Sequence, residues 1–343
     1  MTTYILRRIL QAIPLLFLIS IVIFFLIRQV GDPLAGQQLD QGVSAEDIAL
    51  RRRSAGLDDP LWLQFVHWYI GDDWYQRDLD FDGEPETYGR REGLLRGDFG
   101  RSLRRGEPVT TTIQRFLPWT VLLGVSALLT TIVFGLGIGL LAALRPYSWF
   151  DNLVTTGAFI TFSTPIFLVA LLSVYLFSIK FKEWGLPYLP TGGTSNWRTD
   201  SSTTQDILLR LILPTLSLSV IQIAAYSRFI RASMLEALNS DYIRTAYAKG
   251  LKRPRIVLLH AFKNASFPLI TLIALDIPVF LSGAVVTESI FSWSGMGRLF
   301  IESLNNLDPP ILQAFVLFVA VTVVISQLVA DVLYAWVDPR VRY

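Results

Sequence analysis

Residues 240–250 read Ser240-Asp241-Tyr242-Ile243-Arg244-Thr245-Ala246-Tyr247-Ala248-Lys249-Gly250, and they lie between two long apolar stretches. The segment spells a short helix with both ends marked. Ser240 is placed to cap the N-terminus, and Asp241 favours the first turn, where the helix dipole is positive. Lys249 suits the last turn, and Gly250 can take the left-handed position just beyond it. A helix over about 241–249 is too short to persist alone in water. It must be held by the apolar segments flanking it or by a partner. Ala246 leaves a small-residue gap on its surface where another protein's backbone can approach. Downstream, Pro254 starts a second helical run toward Asn264. An ordinary basic loop between membrane spans would be irregular and polar; it would not carry a capped helix, a glycine break and a second amphipathic segment.

Working outward, six apolar stretches are long enough to cross a bilayer, which takes about 20 residues for roughly 30 Å of hydrocarbon. They cover about 9–30, 119–144, 153–179, 210–229, 266–287 and 311–335. The fourth is the weakest, interrupted by Pro214, Gln222 and several serines; Pro165, Pro268 and Pro278 fall in other spans, where neighbouring helices can satisfy the freed carbonyls. Gly135 and Gly139 form a GxxxG pair that permits close helix approach, most simply within the chain. Composition agrees: of 343 residues, 52% are hydrophobic and 17% charged, against about 25% charged in soluble domains. The first apolar run, Ile9–Ile27, follows Arg7 and Arg8. It is longer than a signal-peptide core and no A-x-A site follows it, so it reads as a retained span. The fold expected is an all-α, polytopic membrane protein with six transmembrane helices: an N-terminal helix over 1–30, an extended extracytoplasmic loop over 31–118, and a five-helix core over 119–343 that carries the loop 230–265.

Basic residues set the orientation. With the N-terminus inside, the inner segments hold thirteen Lys and Arg, eight of them between Arg228 and Lys263, and the two shorter outer loops hold four. Both termini are therefore expected in the cytoplasm of a multi-pass protein of the cell (inner) membrane. The loop 31–118 carries 16 acidic and 11 basic residues, with a dense acidic cluster over 71–93 that includes Asp72, Asp73, Asp78, Asp80, Asp82, Glu84 and Glu86. Three readings of that cluster stay open: a solvated excursion, a docking surface for an extracytoplasmic partner, or a calcium site, although its spacing is not a full EF-hand loop.

Several function classes are excluded. A net charge of +2 gives no sign of nucleic-acid binding, and there is no cysteine for thiol or Cys-metal chemistry. The two histidines, His67 and His260, lie far apart, and no GxxxxGK[ST] phosphate loop, His-Glu-x-x-His or Gly-x-Ser-x-Gly occurs. The rival that remains is an ion-coupled secondary transporter, whose mark would be ionisable residues deep in the spans. Asp276, near the middle of the fifth stretch, qualifies, and Gln222 is a second intramembrane polar residue; both are candidate pathway positions. One such carboxylate is thin support for an ion relay.

The loop resembles the EAA loop of ABC-importer permeases, whose pattern is Glu-Ala-Ala, three residues, then Gly; here it stands as Arg244-Thr245-Ala246-Tyr247-Ala248-Lys249-Gly250. The first two positions depart from the general pattern and match the oligopeptide/dipeptide/nickel branch. Other stretches are similar to that branch in the right order: Tyr4-Ile-Leu-Arg7-Arg8, Gly31-Asp32-Pro33, Gly97-Asp98-Phe99-Gly100-Arg101-Ser102-Leu103, Glu288-Ser-Ile-Phe291-Ser-Trp-Ser-Gly295-Met-Gly297 and Asp338-Pro339-Arg340-Val-Arg342-Tyr343. The acidic stretch near 71–93 departs from it as an insertion. The resemblance implies a type I importer fold and the role of first permease partner in an importer of peptides or similar small solutes. It implies a heterodimer with a second permease subunit, two cytoplasmic ATPase subunits that use ATP while this chain binds no cofactor, and an extracytoplasmic solute-binding protein. The residues it marks for ATPase coupling are Asp241, Tyr242, Arg244, Thr245, Ala246, Lys249 and Gly250.

Overall fold

The computed structural model describes residues 2–29, 44–78, 87–194, 203–282 and 284–337. Asp80, Asp82, Glu84 and Glu86 of the acidic cluster, Gly31-Asp32-Pro33 and the tail from Asp338 lie outside the described residues. The chain forms two compact units. The larger comprises Met1–Ile5, Pro118–Arg298 and Thr322–Tyr343; the smaller comprises Leu6–Leu117 and Leu299–Val321. These borders differ from a division at 30 and 118, because 299–321 packs with the N-terminal part of the chain.

Helices come in chain order as α1 (Thr2–Gln29), α2 (Ala45–Ser54), α3 (Leu61–Tyr69), α4 (Val109–Leu144), α5 (Trp149–Ser163), α6 (Ile166–Val174), α7 (Phe181–Glu183), α8 (Thr204–Leu238), α9 (Asp241–Ala248), α10 (Arg253–Arg255), α11 (Lys263–Ser282), α12 (Val285–Ile290), α13 (Met296–Asn305) and α14 (Pro309–Val337). A two-residue antiparallel ladder joins β1 (Gln76–Arg77) to β2 (Thr87–Tyr88). Among the described residues, five helical segments are long and apolar enough to cross a membrane: Leu6–Gln29, Val109–Leu144, Thr204–Leu238, Arg253–Phe280 and Pro309–Leu333.

The expected third span, 153–179, is not one straight helix. Trp149–Ser163 and Ile166–Glu183 meet at a bend of 106°, and the pair makes the sixth span only if counted together. Pro165 causes the break. It lacks an N–H and its ring drives Thr164 out of the helical region, to ψ 122. Two other boundaries also move. The fourth span is part of a 35-residue helix, about 52 Å long, which extends through the basic stretch as far as Leu238. The run from Pro254 is not a separate amphipathic helix. It enters α11 through a π-helical segment, Ile256–Phe262, so a single helical rod runs from 253 to 282.

In the larger unit α8 is the central element, packing against α5, α6 and α11. Its close approach to α4 depends on glycine. A Cβ on Gly135 would stand 2.8 Å from the Tyr226 Cβ, and one on Gly139 would stand 2.5 Å from the Ser227 carbonyl oxygen. The GxxxG pair thus serves packing within the chain, as its spacing suggests. Gly137 between them has open space around it.

The smaller unit is held by aromatic rings and ion pairs. Phe17, Phe24 and Phe25 of α1 pack edge-on and stacked against Phe65, Trp68 and Tyr69 of α3. Ser44 and Asp47 make a capping box at the start of α2. Asp308 accepts from the Ser102 hydroxyl at 2.5 Å and the Leu103 N–H at 3.2 Å. Of the acidic cluster, Asp72 is buried and accepts from the Arg91 N–H, so it is a structural group rather than a docking surface. Asp73 takes a two-pronged bond from Arg96, which holds its carboxyl below the usual range.

The two glycines make different demands, and that can be measured. Gly139→Leu should force α4 off α8 and cost about 1–3 kcal/mol, as overpacking does, whereas Gly137→Leu should be close to neutral. Thermal unfolding of the solubilised protein checks it; equal melting temperatures for the two variants would refute the packing argument.

Candidate functional site

The helix that the sequence singled out is present as α9, and it is anchored on one side. Ile243 and Ala246, three residues apart, are both buried in a cluster with Met234 and Ala237 of α8 and with Ile256, Val257 and Ala261 of the π-helical segment. Leu251 packs on the same cluster. The C-terminus closes as a Schellman motif: the Gly250 N–H donates to Tyr247 O at 2.9 Å and the Leu251 N–H to Ala246 O at 3.3 Å. Gly250 has φ +75, the conformation that motif requires and that glycine adopts without strain.

Three expectations about this helix change. Ser240 has N-cap geometry, but its hydroxyl donates back to the Ala237 carbonyl and makes no cap bond. Lys249 is the C-cap residue rather than part of the last turn. Ala246 is 6% exposed and faces the chain's own core, so it is no gap for a partner; its small side chain lets α9 lie close on α8. What α9 presents outward is Asp241, Tyr242, Arg244, Thr245, Tyr247 and Lys249, all exposed. Arg244 and Asp241 pair at 3.5 Å, but at 77% and 95% exposure that pair adds little stability.

A second constellation lies on α8 and α11. The Tyr226 hydroxyl donates to Asp276 Oδ2 at 2.7 Å, and the Gln222 side chain lies near the same carboxyl. The packing of α11 on α8 places Asp276 against Tyr226. Tyr226 was missed in the sequence. It lies four residues after Gln222, on the same helix face, and that spacing was the available signal.

An ion pair on a buried carboxylate was missed too. Arg231 of α8 binds both oxygens of Asp151, in the first turn of α5, with Arg231 Nη2 at 2.7 Å from Oδ2. Asp151 is 1% exposed and also accepts the Tyr147 N–H at 2.7 Å. The two residues are 80 apart in sequence, so nothing local announced the pair. Elsewhere in the larger unit, buried Glu288 accepts from the Thr120 hydroxyl at 2.8 Å and the Arg298 N–H at 3.0 Å, tying the start of α13 to α4.

Residues 135–343 match the family model described as binding-protein-dependent transport system inner membrane component, and residues 1–124 match the companion model for the N-terminal part of such components. The chain belongs to this family. It is 36% identical over 345 residues to the oligopeptide transport system permease protein AppB of Bacillus subtilis (strain 168), with both chains covered in full. It is 34% identical over 348 residues to the glutathione transport system permease protein GsiC of Escherichia coli (strain K12), again with both chains covered in full. The chain is therefore a multi-pass inner-membrane permease subunit of a binding-protein-dependent ABC importer, and the ion-coupled carrier is set aside.

Removing Arg231 leaves the buried Asp151 charge uncompensated, at a cost of about 3–5 kcal/mol. Arg231→Met should lower the melting temperature sharply, and adding Asp151→Asn should restore part of the loss. A double variant no more stable than Arg231→Met alone would show that the pair is not what fixes α5 to α8.

Proposed function

We propose that this permease forms its translocation pathway with a second, different permease subunit, and that two ATPase subunits drive it through α9. A solute-binding protein outside the cell delivers the cargo, and both termini of this chain lie in the cytoplasm. The cargo is a peptide or a similar small solute, the class named in the relatives for oligopeptides and glutathione. This chain binds no cofactor, and ATP is bound and hydrolysed by the partner chains; the sequence has no phosphate loop of its own. The observation that carries the reading is the two-sided character of α9: one face is locked into the core formed by α8 and the π-helical segment, and the other is bare. A helix too short to stand alone, fixed to two long rods and exposed on its far side, is suited to carrying a push from a soluble partner into the spans.

Transport then proceeds by alternating access. ATP binding and docking of the loaded binding protein favour the outward-open state, and hydrolysis returns the inward-open one. A ligand shifts such an equilibrium only through its difference in affinity for the two states. Swinging it from 1:99 to 99:1 takes about 5.5 kcal/mol, which closure of the ATPase subunits around α9 can supply.

Arg244→Glu combined with Tyr247→Glu changes two residues of the exposed face of α9 and leaves Ile243 and Ala246 in place. The pair should reduce the ATPase subunits recovered with the tagged permease at least ten-fold while leaving its membrane yield unchanged. Full recovery of the ATPase, with wild-type uptake, would eliminate α9 as the coupling element. Orientation is tested in the cysteine-free chain: a membrane-impermeant thiol reagent on cells with a permeabilised outer layer should label Leu95→Cys and spare Thr245→Cys, and the reverse pattern would invert the topology.

A further inference from the structure

We propose that the Asp276 carboxylate is a binding point for the positively charged amino group of the transported solute. The assignment rests on the peptide-class reading above and deepens it. Asp276 stands within the span Arg253–Phe280 and is half-buried. Its hydrogen-bond partner among the described residues is neutral, the Tyr226 hydroxyl, with the Gln222 side chain nearby; none of the described Lys or Arg residues pairs with it. A carboxylate in a span costs roughly 2.5–3.5 kcal/mol on insertion scales, and such residues face a bundle interior or watery cavity and find a counter-charge there. Among the described residues, this chain supplies orientation and no counter-charge.

The orientation is firm. The Tyr226 ring is 2% exposed, and α4 presses against its Cβ at Gly135, so the hydroxyl that holds Oδ2 has little freedom. A preorganised acceptor, partly open and lacking a cation, is matched by a primary ammonium, which donates short, charge-assisted bonds of about 2.7–2.9 Å. Oligopeptides and glutathione, the cargoes named in the two relatives, both carry that group. A single carboxylate in a wet pathway also binds weakly enough to let the solute leave, which passage demands. Tyr226 is the positioning residue: it acts through Asp276.

The test uses the assembled complex of both permeases and the ATPase subunits in nanodiscs, without binding protein, with tri-alanine and N-acetyl-tri-alanine as probes. Saturation-transfer NMR reads weak affinities for both. The wild type should hold tri-alanine at least ten-fold more tightly than the acetylated peptide. Asp276→Asn should bring tri-alanine to the acetylated value and move the acetylated peptide less than two-fold. Tyr226→Phe, which keeps the carboxylate, should cut the preference about three-fold and serves as the decisive variant if Asp276→Asn does not assemble. Four results would overturn the assignment: no preference in the wild type, a preference that survives Asp276→Asn, equal weakening of both peptides, or loss of the second permease on purification of an otherwise stable variant, which would give the cation to that subunit. Failure of the peptide reading shows separately, as a wild-type importer that takes up no peptide although its binding protein loads another class of solute.

Discussion

The burial of Ile243 and Ala246 is the contact on which the proposed mechanism depends. Together they remove one face of α9 from water and press it against α8 and the π-helical segment that leads into α11. Without that contact an eight-residue helix would fray, and a push on its outer face would be lost in the loop. With it, α9 becomes a rigid projection of two rods that run on through the bilayer. The Schellman closure at Gly250 adds to this by satisfying carbonyls at the end of the helix and returning Leu251 to the same apolar cluster. Coupling in this chain is first a packing problem.

The rods in turn need a fixed geometry, and a bilayer offers little hydrophobic force between helices. The larger unit meets this in two ways. Glycines at 135 and 139 bring α4 against the backbone of α8, where dispersion contacts are dense. Polar groups then lock specific places: Arg231 on Asp151 near one end of α8, and Glu288 on Thr120 and the start of α13. The carboxylates of both, Asp151 and Glu288, are buried and hydrogen-bonded, which is the condition under which a charged group fixes a structure rather than weakening it.

Much of this was legible in the sequence because it is written locally. Five of the spans are contiguous apolar runs, and α9 has its charge, small-residue and glycine signals within eleven residues. The resemblance to permeases then covered the chain in order. What was not legible depends on neighbours distant in sequence. The burial of Ala246 needs Met234 and Ala237, so its small size read equally well as a gap for a partner. Ser240 had N-cap chemistry, but its hydroxyl found the nearer Ala237 carbonyl. The break in the third span turned on Pro165, where apolar composition alone cannot separate a kink from a bend of 106°. Hydropathy also hid the lengths of the helices, since α8 continues past its apolar part through residues as polar as Arg228, Arg231 and Glu236.

The two proposed functional elements share the same pair of rods, and this constrains how they can act on one another. α9 is fixed to the ends of α8 and the rod entering α11, while Tyr226 and Asp276 bridge those helices farther along. A displacement of α9 that rotates or slides one rod against the other must therefore strain the Tyr226–Asp276 bond, because a hydrogen bond weakens steeply as its geometry opens. The carboxylate would lose its orienting donor in one state and regain it in the other. Affinity for a cationic group would then differ between the two states, and a difference of that kind is what links solute passage to the ATPase cycle. Neutral packing residues in the same place would transmit the motion equally well but would give the solute no reason to bind one state better than the other.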